Sequence, residues 1–239
     1  MGDRLYLDDP YLREFDAEIR ASAEGGLELS CTCFYPGGGG QPPDRGTVTL
    51  GGETVPVSNV HEDDAGRLWH AVSRPMPVGA IVRGTIDWAF RYALMRHHAL
   101  LHVVNTIALR LFGGTMTGAQ LGAERSRIDF KVPSLARDDL PAVEAAVNEV
   151  IARDLVITSA VIHETEYRQR PLLRRTLNVE PPIVDGKVRI VEIASFDAQA
   201  CGGTHVHSTR EIGAARIEKL DNKGKDNKRV YWSLATPGA

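Results

Sequence analysis

The chain has 239 residues, 43% of them hydrophobic and 25% charged, with 28 Lys+Arg against 31 Asp+Glu for a formal charge of −3. That length allows one large domain or two smaller ones, each big enough for a real core, and the composition lies far from the disordered and fibrous classes. The charge argues against a globally basic nucleic-acid binder, so any RNA contact must be regional; with no signal-peptide core and no apolar run of membrane-spanning length, a cytoplasmic protein with no membrane association is expected.

Up to about residue 86, short strand-like runs alternate with turn residues. The clearest is Leu27-Glu28-Leu29-Ser30-Cys31-Thr32-Cys33-Phe34, where Leu27, Leu29, Cys31 and Cys33 form one apolar face and Glu28, Ser30 and Thr32 the other. Thr32 is thereby expected to point away from the cysteines. Three cysteines do not make a disulfide framework. The C-x-C pair Cys31 and Cys33 invites a metal reading, but no second Cys or His pair lies nearby, and small buried strand residues are the plainer assignment. Gly37-Gly38-Gly39-Gly40 is the one low-complexity tract and reads by itself as a flexible surface turn. Further strands are expected over 47–50, 53–57, 68–72 and 81–86, with Gly51-Gly52 as a hairpin connection between the first two. Short strands with frequent turns suggest a small β-barrel over residues 1–86.

At Asp87 the texture changes. Asp87 is a credible helix cap, and the apolar-rich segment from Trp88 to Phe112 predicts one long helix that ends at Gly113-Gly114. A second helix is expected over 140–155, with Asp138 or Asp139 near its start, Pro141 in its first turn, and Val143, Val147, Val150 and Ile151 on a common face. Strands follow at 156–162, 188–193, 215–220 and 229–234. Residues 87–239 are thus expected to form an α+β domain, helices packed on a mostly antiparallel sheet.

Two segments carry chemistry. In His98-Ala99-Leu100-Leu101-His102 the two imidazoles lie one helical turn apart on one face and can reach one ion. In Cys201-Gly202-Gly203-Thr204-His205 two glycines let the backbone turn tightly between a thiolate and a third imidazole. Each half is a weak signal alone, since two histidines at helical spacing are often satisfied core residues. Together they offer a His₃Cys set, which suits zinc by softness and number. His97 is rotated about 100° around the helix axis and reads as a surface residue or a neighbour of the ligands, as does His207.

Three separated motifs, in order, resemble the alanyl-tRNA editing family, meaning the freestanding AlaX proteins and the related editing domain of alanyl-tRNA synthetase. They are Phe34-Tyr35-Pro36 leading to Gly38-Gly39-Gly40-Gln41-Pro42, then Met95-Arg96-His97-His98 continuing to His102, then Cys201 to His205 followed by Thr209-Arg210-Glu211-Ile212-Gly213. Lys223-Gly224-Lys225 through Arg229 resembles the family's late basic segment. The resemblance implies the longer freestanding type, an N-terminal barrel followed by a zinc domain, with no room expected for an aminoacylation domain. It implies His98, His102, Cys201 and His205 as zinc ligands, and Thr32, Gln41 and the loop Gly38, Gly39 and Gly40 as substrate-pocket residues, with Thr32 and Gln41 the catalytic-site candidates. The chain departs from the family at Ala99 and Leu100, where a hydroxyl residue and alanine are usual, and at Gly37, which replaces a larger residue; Cys31 and Cys33 also flank Thr32.

The activity so implied is hydrolysis, in trans, of alanine-specific tRNA mischarged with serine, glycine or both. One methyl or hydroxyl group is worth too little in a single binding pocket for the accuracy translation needs, and a second, hydrolytic site answers that. A serine hydroxyl can be recognised positively by a hydrogen-bonding group; Thr32 is the candidate, its plain alternative being a β-branched strand residue. Zinc could orient the ester, polarise its carbonyl or activate water, and direct catalysis would require one of the four ligands, such as His205, to yield its place. No general base is assigned. Lys223, Lys225 and Lys228 are expected either to contact phosphates or to decorate a solvated hairpin. Arg91 and Arg96, and the cluster Arg168, Arg170, Arg174 and Arg175, are expected to add basic surface or solubility. Two alternatives stand: editing of serine-charged threonine-specific tRNA, because the threonyl-tRNA synthetase editing domain shares both zinc half-motifs, and a non-catalytic RNA- or partner-binding module with structural zinc.

Overall fold

The computed structural model describes residues 3–132, 134–176, 180–224 and 226–235. The chain divides into two compact units, Met1–Tyr92 and Ala93–Ala239, the division falling inside the long helix.

The first unit is built on a seven-stranded antiparallel sheet in the order Glu53–Val57, Gly46–Leu50, Ile81–Ile86, Glu14–Ala23, Gly26–Leu29, Leu68–Ala71, Asn59–Glu62. The Gly51-Gly52 hairpin forms as expected: Leu50 pairs with Glu53, and both glycines take positive φ, +58° and +88°, the turn whose twist matches that of the strands. The ten-residue strand Glu14–Ala23 has no counterpart among the expected strands, although Phe15, Ala17 and Ile19 alternate into the core.

The expected closed barrel does not form: the strands at the two ends of the order, Glu53–Val57 and Asn59–Glu62, are not hydrogen-bonded to each other. Only Ser58 separates them in the chain, too short a link for a hairpin, so the two edge strands follow each other in sequence without a ladder between them.

The run 27–34 is also not one strand. Gly26–Leu29 stays in the sheet, whereas Cys31–Thr32 leaves it and pairs in parallel with Asp3–Arg4. Cys33 enters the core as expected and Cys31 packs against it. Thr32 belongs to neither the polar face nor the surface; it is 2% exposed.

In the second part of the chain the helix Trp88–Phe112 starts and stops where its caps predict. The Phe90 N–H donates to Asp87 Oδ1 at 3.2 Å, and Gly113 leaves helical geometry at φ +62°. Two antiparallel sheets follow. One has the order Thr115–Gln120, Arg125–Lys131, Asn227–Leu234, Ala215–Asn222; in the other Lys187–Ile193 is central, pairing with Ile157–His163 on one side and with Ile183–Val184 and Asp197–Ala200 on the other. The α+β expectation holds.

The helix Leu140–Ala152 buries Val143, Val147, Val150 and Ile151 as its pattern predicts. It stops three residues before the expected end, because Asp154 takes φ +54° and the Thr209 hydroxyl donates to the Val150 carbonyl at 3.1 Å while accepting from the Leu155 N–H at 2.9 Å. No helix among the described residues is long and apolar enough to cross a membrane.

Candidate metal centre and substrate loop

His98 and His102 stand one turn apart on the long helix and face Cys201 and His205 on the loop that leaves the strand Asp197–Ala200. The ligand atoms of all four residues lie within 4.8 Å of one another. Cys201 Sγ is 3.4 Å from His98 Nε2 and 3.8 Å from His205 Nε2, and His205 Nε2 is 3.2 Å from His102 Nε2. A tetrahedral zinc with ordinary bond lengths requires N···N separations of about 3.3 Å and S···N separations of about 3.6 Å. These three separations match those of such a site, and the donor set fits that ion.

The protonation states suit it too. Burial depresses the basicity of all three imidazoles, His102 to about 3 and His98 and His205 well below the ordinary histidine value, so each presents a lone pair. Burial pushes the Cys201 thiol up, and a divalent cation is what would displace its proton. The Gly203 carbonyl accepts from His205 Nδ1 at 3.1 Å, which fixes the tautomer and aims Nε2 at the cluster.

The chain bends at Gly203 as expected, although neither glycine of the loop takes positive φ. Arg189 Nη1 donates to the carbonyls of Cys201 (3.1 Å) and Gly203 (2.9 Å), and the Gly203 N–H points to Cys201 Sγ at 3.5 Å. A side chain on Gly202 would press on Pro182, whose Cγ lies 3.2 Å from the position of the missing Cβ.

Behind the ligands runs a buried polar chain. Asn105 Nδ2 donates to Gln199 Oε1 at 3.1 Å; Gln199 Nε2 donates to the His102 carbonyl at 3.3 Å and to Asp197 Oδ2 at 2.7 Å; Arg175 pairs with Asp197. The Thr209 to Gly213 motif proves to be a brace. Thr209 closes the end of the helix Leu140–Ala152, Glu211 accepts from the His207 and Ser208 N–H groups, and Arg96 Nη2 donates to the Ile212 carbonyl at 2.7 Å.

His97 is buried, not on the surface, and neither of its ring nitrogens has a partner among the described residues; His207 is exposed.

In the first unit, the glycine-rich segment is more ordered than a flexible turn. Gly37, Gly38, Gly39 and Gly40 all have positive φ, from +59° to +130°, a run that only glycine sustains. Gly38 and Gln41 exchange both backbone hydrogen bonds, at 2.9 and 3.0 Å, and the Tyr35 hydroxyl donates to the Gly38 carbonyl at 3.1 Å. Gln41 is buried at the base of this turn. The segment is held from below by Asp44, which accepts from the Tyr35 N–H at 2.6 Å and forms a buried ion pair with Arg91; Arg91 also donates to the carbonyls of Cys33 and Pro10.

Sequence reasoning missed His70. Its Nε2 lies 2.8 Å from Thr32 Oγ1, its Nδ1 lies 3.0 Å from the Leu27 carbonyl, and it is wholly buried. Its signal was its place between Leu68 and Val72 on the inward face of a strand.

Of the arginines expected to add basic surface or solubility, Arg91 and Arg96 are interior, whereas Arg168, Arg170 and Arg174 are exposed and ion-paired. Arg91 and Arg96 are buried with internal partners, Asp44 for Arg91 and backbone carbonyls for Arg96. Arg168, Arg170 and Arg174 pair with Glu164, Glu166 and Glu180, and Arg175 with Asp197. Lys223 and Lys228 stand at the hairpin joining Ala215–Asn222 to Asn227–Leu234; Lys223 is exposed, and Lys228 Nζ donates to Asn222 Oδ1 at 2.7 Å. Lys225 lies outside the described residues.

Comparison with known proteins gives two matching family models: the threonyl and alanyl tRNA synthetase second additional domain over residues 188–231, and class II (A) tRNA synthetases over residues 9–90. The chain is similar to the alanyl-tRNA editing protein AlaX-M of Saccharolobus solfataricus, 36% identical over 237 residues, covering 98% of this chain and 99% of that protein. It is similar also to the AlaX-M protein of Methanosarcina mazei, 35% identical over 243 residues and covering 98% of this chain and 97% of the relative. Against the alanine–tRNA ligase of Korarchaeum cryptofilum it is 38% identical over 237 residues, 98% of this chain but 26% of the ligase.

Proposed function

Because this chain belongs to the alanyl-tRNA editing protein family, we propose that it hydrolyses, in trans, alanine-specific tRNA wrongly charged with serine, and with glycine, at a zinc ion held by His98, His102, Cys201 and His205. The observation that carries the reading is the convergence of one thiol and three neutral imidazoles at zinc-ligand separations. When bound, zinc supplies Lewis acidity to the ester carbonyl or to water. The cytoplasm is where such a substrate is met.

The chain's own residues supply the rest. His98 and His102 are fixed by the helix, Cys201 and His205 by Arg189 and the Gly203 carbonyl, so the ligand side chains are pre-oriented. Gly38, Gly39, Gly40 and Gln41 form a turn whose glycines have no Cβ to obstruct a close approach, suited to an aminoacylated RNA end. Thr32 and Gln41 are read as the side chains that meet the aminoacyl group, and Lys223, Lys225 and Lys228 as phosphate contacts.

The test is deacylation of alanine-specific tRNA carrying serine, glycine or alanine, alongside serine-charged threonine-specific tRNA. Cleavage of the first two with alanine spared is expected. Cleavage of only the threonine-specific RNA would reassign the substrate, and a zinc-loaded protein that cleaves none would be a binding module.

A further inference from the structure

The hydrogen bonds around Thr32 have a direction, and it is fixed from the far end. The Leu27 carbonyl only accepts, so the His70 Nδ1 that lies 3.0 Å from it carries the proton. Burial holds His70 neutral, its pKa lowered to about 4. A neutral imidazole protonated at Nδ1 has a bare lone pair at Nε2. The Thr32 hydroxyl, 2.8 Å away, must therefore donate its one proton to His70. One of its two acceptor positions is taken by the Phe34 N–H at 3.1 Å, which leaves a single acceptor position and no donor.

We infer that His70 is a positioning residue that commits the Thr32 hydroxyl to act only as a hydrogen-bond acceptor toward the aminoacyl group, so that a hydroxyl on the β-carbon, as in serine, gains one hydrogen bond that glycine and alanine cannot make. The inference rests on the reading of Thr32 as a pocket residue and adds the polarity of that contact. A serine hydroxyl satisfies the remaining acceptor position. An alanine methyl cannot, and a polar group left unpaired discriminates better than the size of a methyl does. Were His70 protonated on Nε2 instead, the threonine proton would be free to rotate and the site would lose its preference for a donor. Phe34 packs edge-on against the imidazole, ring centroids 5.5 Å apart, and keeps it in one orientation.

Two measurements test this on the full chain. The first needs no variant: long-range proton–nitrogen NMR of the wild-type protein near neutral pH should show His70 protonated on Nδ1 alone, and an Nε2-protonated ring would overturn the inference. The second compares serine with glycine clearance from alanine-specific tRNA in wild type, Thr32→Val, His70→Leu and the double variant, with zinc content matched. Thr32→Val and His70→Leu should each lower the serine-to-glycine ratio about 2- to 10-fold, the span of one neutral hydrogen bond. The His70 effect should vanish in the Thr32→Val background, because His70 acts through that hydroxyl. An unchanged ratio in Thr32→Val would remove the pocket reading and the inference with it. A lowered ratio in Thr32→Val with no change in His70→Leu, or effects that simply add, would overturn the role of His70 while leaving Thr32 in place. Should His70→Leu fail to fold, the tautomer measurement decides.

Discussion

Asn105 donates to Gln199 at 3.1 Å and so ties the helix that carries His98 and His102 to the strand that delivers Cys201. Gln199 also holds the His102 carbonyl. The two halves of the candidate metal centre are thus held at their separation by a side-chain amide pair. Asn105→Leu or Gln199→Leu should weaken zinc affinity about 10- to 100-fold, as removal of a partner behind the ligands typically does. Competition with a chromogenic chelator measures it. Affinity equal to wild type in both variants would mean that the backbone alone sets the geometry.

Asp44 and Arg91 form the buried ion pair beneath the glycine loop, with the Tyr35 N–H as a further donor to the carboxylate. Removing one charge leaves the other uncompensated in the interior, so Asp44→Asn should destabilise the protein by about 3–5 kcal/mol. Denaturant unfolding followed by tryptophan fluorescence reads this out. A destabilisation below about 1 kcal/mol would show that Arg91 finds water once its partner is gone.

The legibility of this protein in its sequence is uneven, and the reasons are physical. The long helix is readable to the residue because both ends carry local chemistry, Asp87 at one and Gly113 at the other. The four candidate ligands are readable because helical spacing places His98 over His102 and the other two sit in one five-residue segment. Arg91 looks like a surface residue in the sequence because its partner lies 47 positions away. The burial of Thr32 is unreadable from alternation, which assumes a continuous strand, whereas this one ends at Leu29 and the next pairs elsewhere. Whether the first sheet closes is likewise a property of its two edges, which no single strand's pattern encodes.

His70 makes stability depend on pH in a stated direction. It titrates near 6.5 in an unfolded chain and at about 4 in the folded one. Above the unfolded value both states are neutral and folding loses nothing; as pH falls from 6.5 to about 4 only the unfolded chain takes up the proton, so stability drops, and below that it levels off. The full change is on the order of 3 kcal/mol. Subtracting the pH profile of His70→Gln from that of wild type isolates this residue from the other histidines. A difference profile flat between about pH 7.5 and 4.5 would show that the buried imidazole does not stay neutral.

The hairpin lysines are expected to act in RNA affinity, since each phosphate neutralised steepens the fall of binding with salt. Replacing Lys223, Lys225 and Lys228 together by Gln should weaken tRNA binding and flatten the plot of log affinity against log salt, by about 0.7–0.9 for each phosphate that is no longer neutralised. An unchanged slope would leave the segment as a solvated hairpin.

The proposed activity places editing at one zinc held by His98, His102, His205 and Cys201. Its most direct test measures metal content and serine clearance from alanine-specific tRNA on the same preparations of wild type, Cys201→Ala and Cys31→Ala. Wild type and Cys31→Ala should each hold about one zinc per chain and clear serine, whereas Cys201→Ala should bind zinc weakly and clear none. Equal zinc depletion in the two cysteine variants, or full clearance by a metal-free Cys201→Ala protein, would contradict that placement.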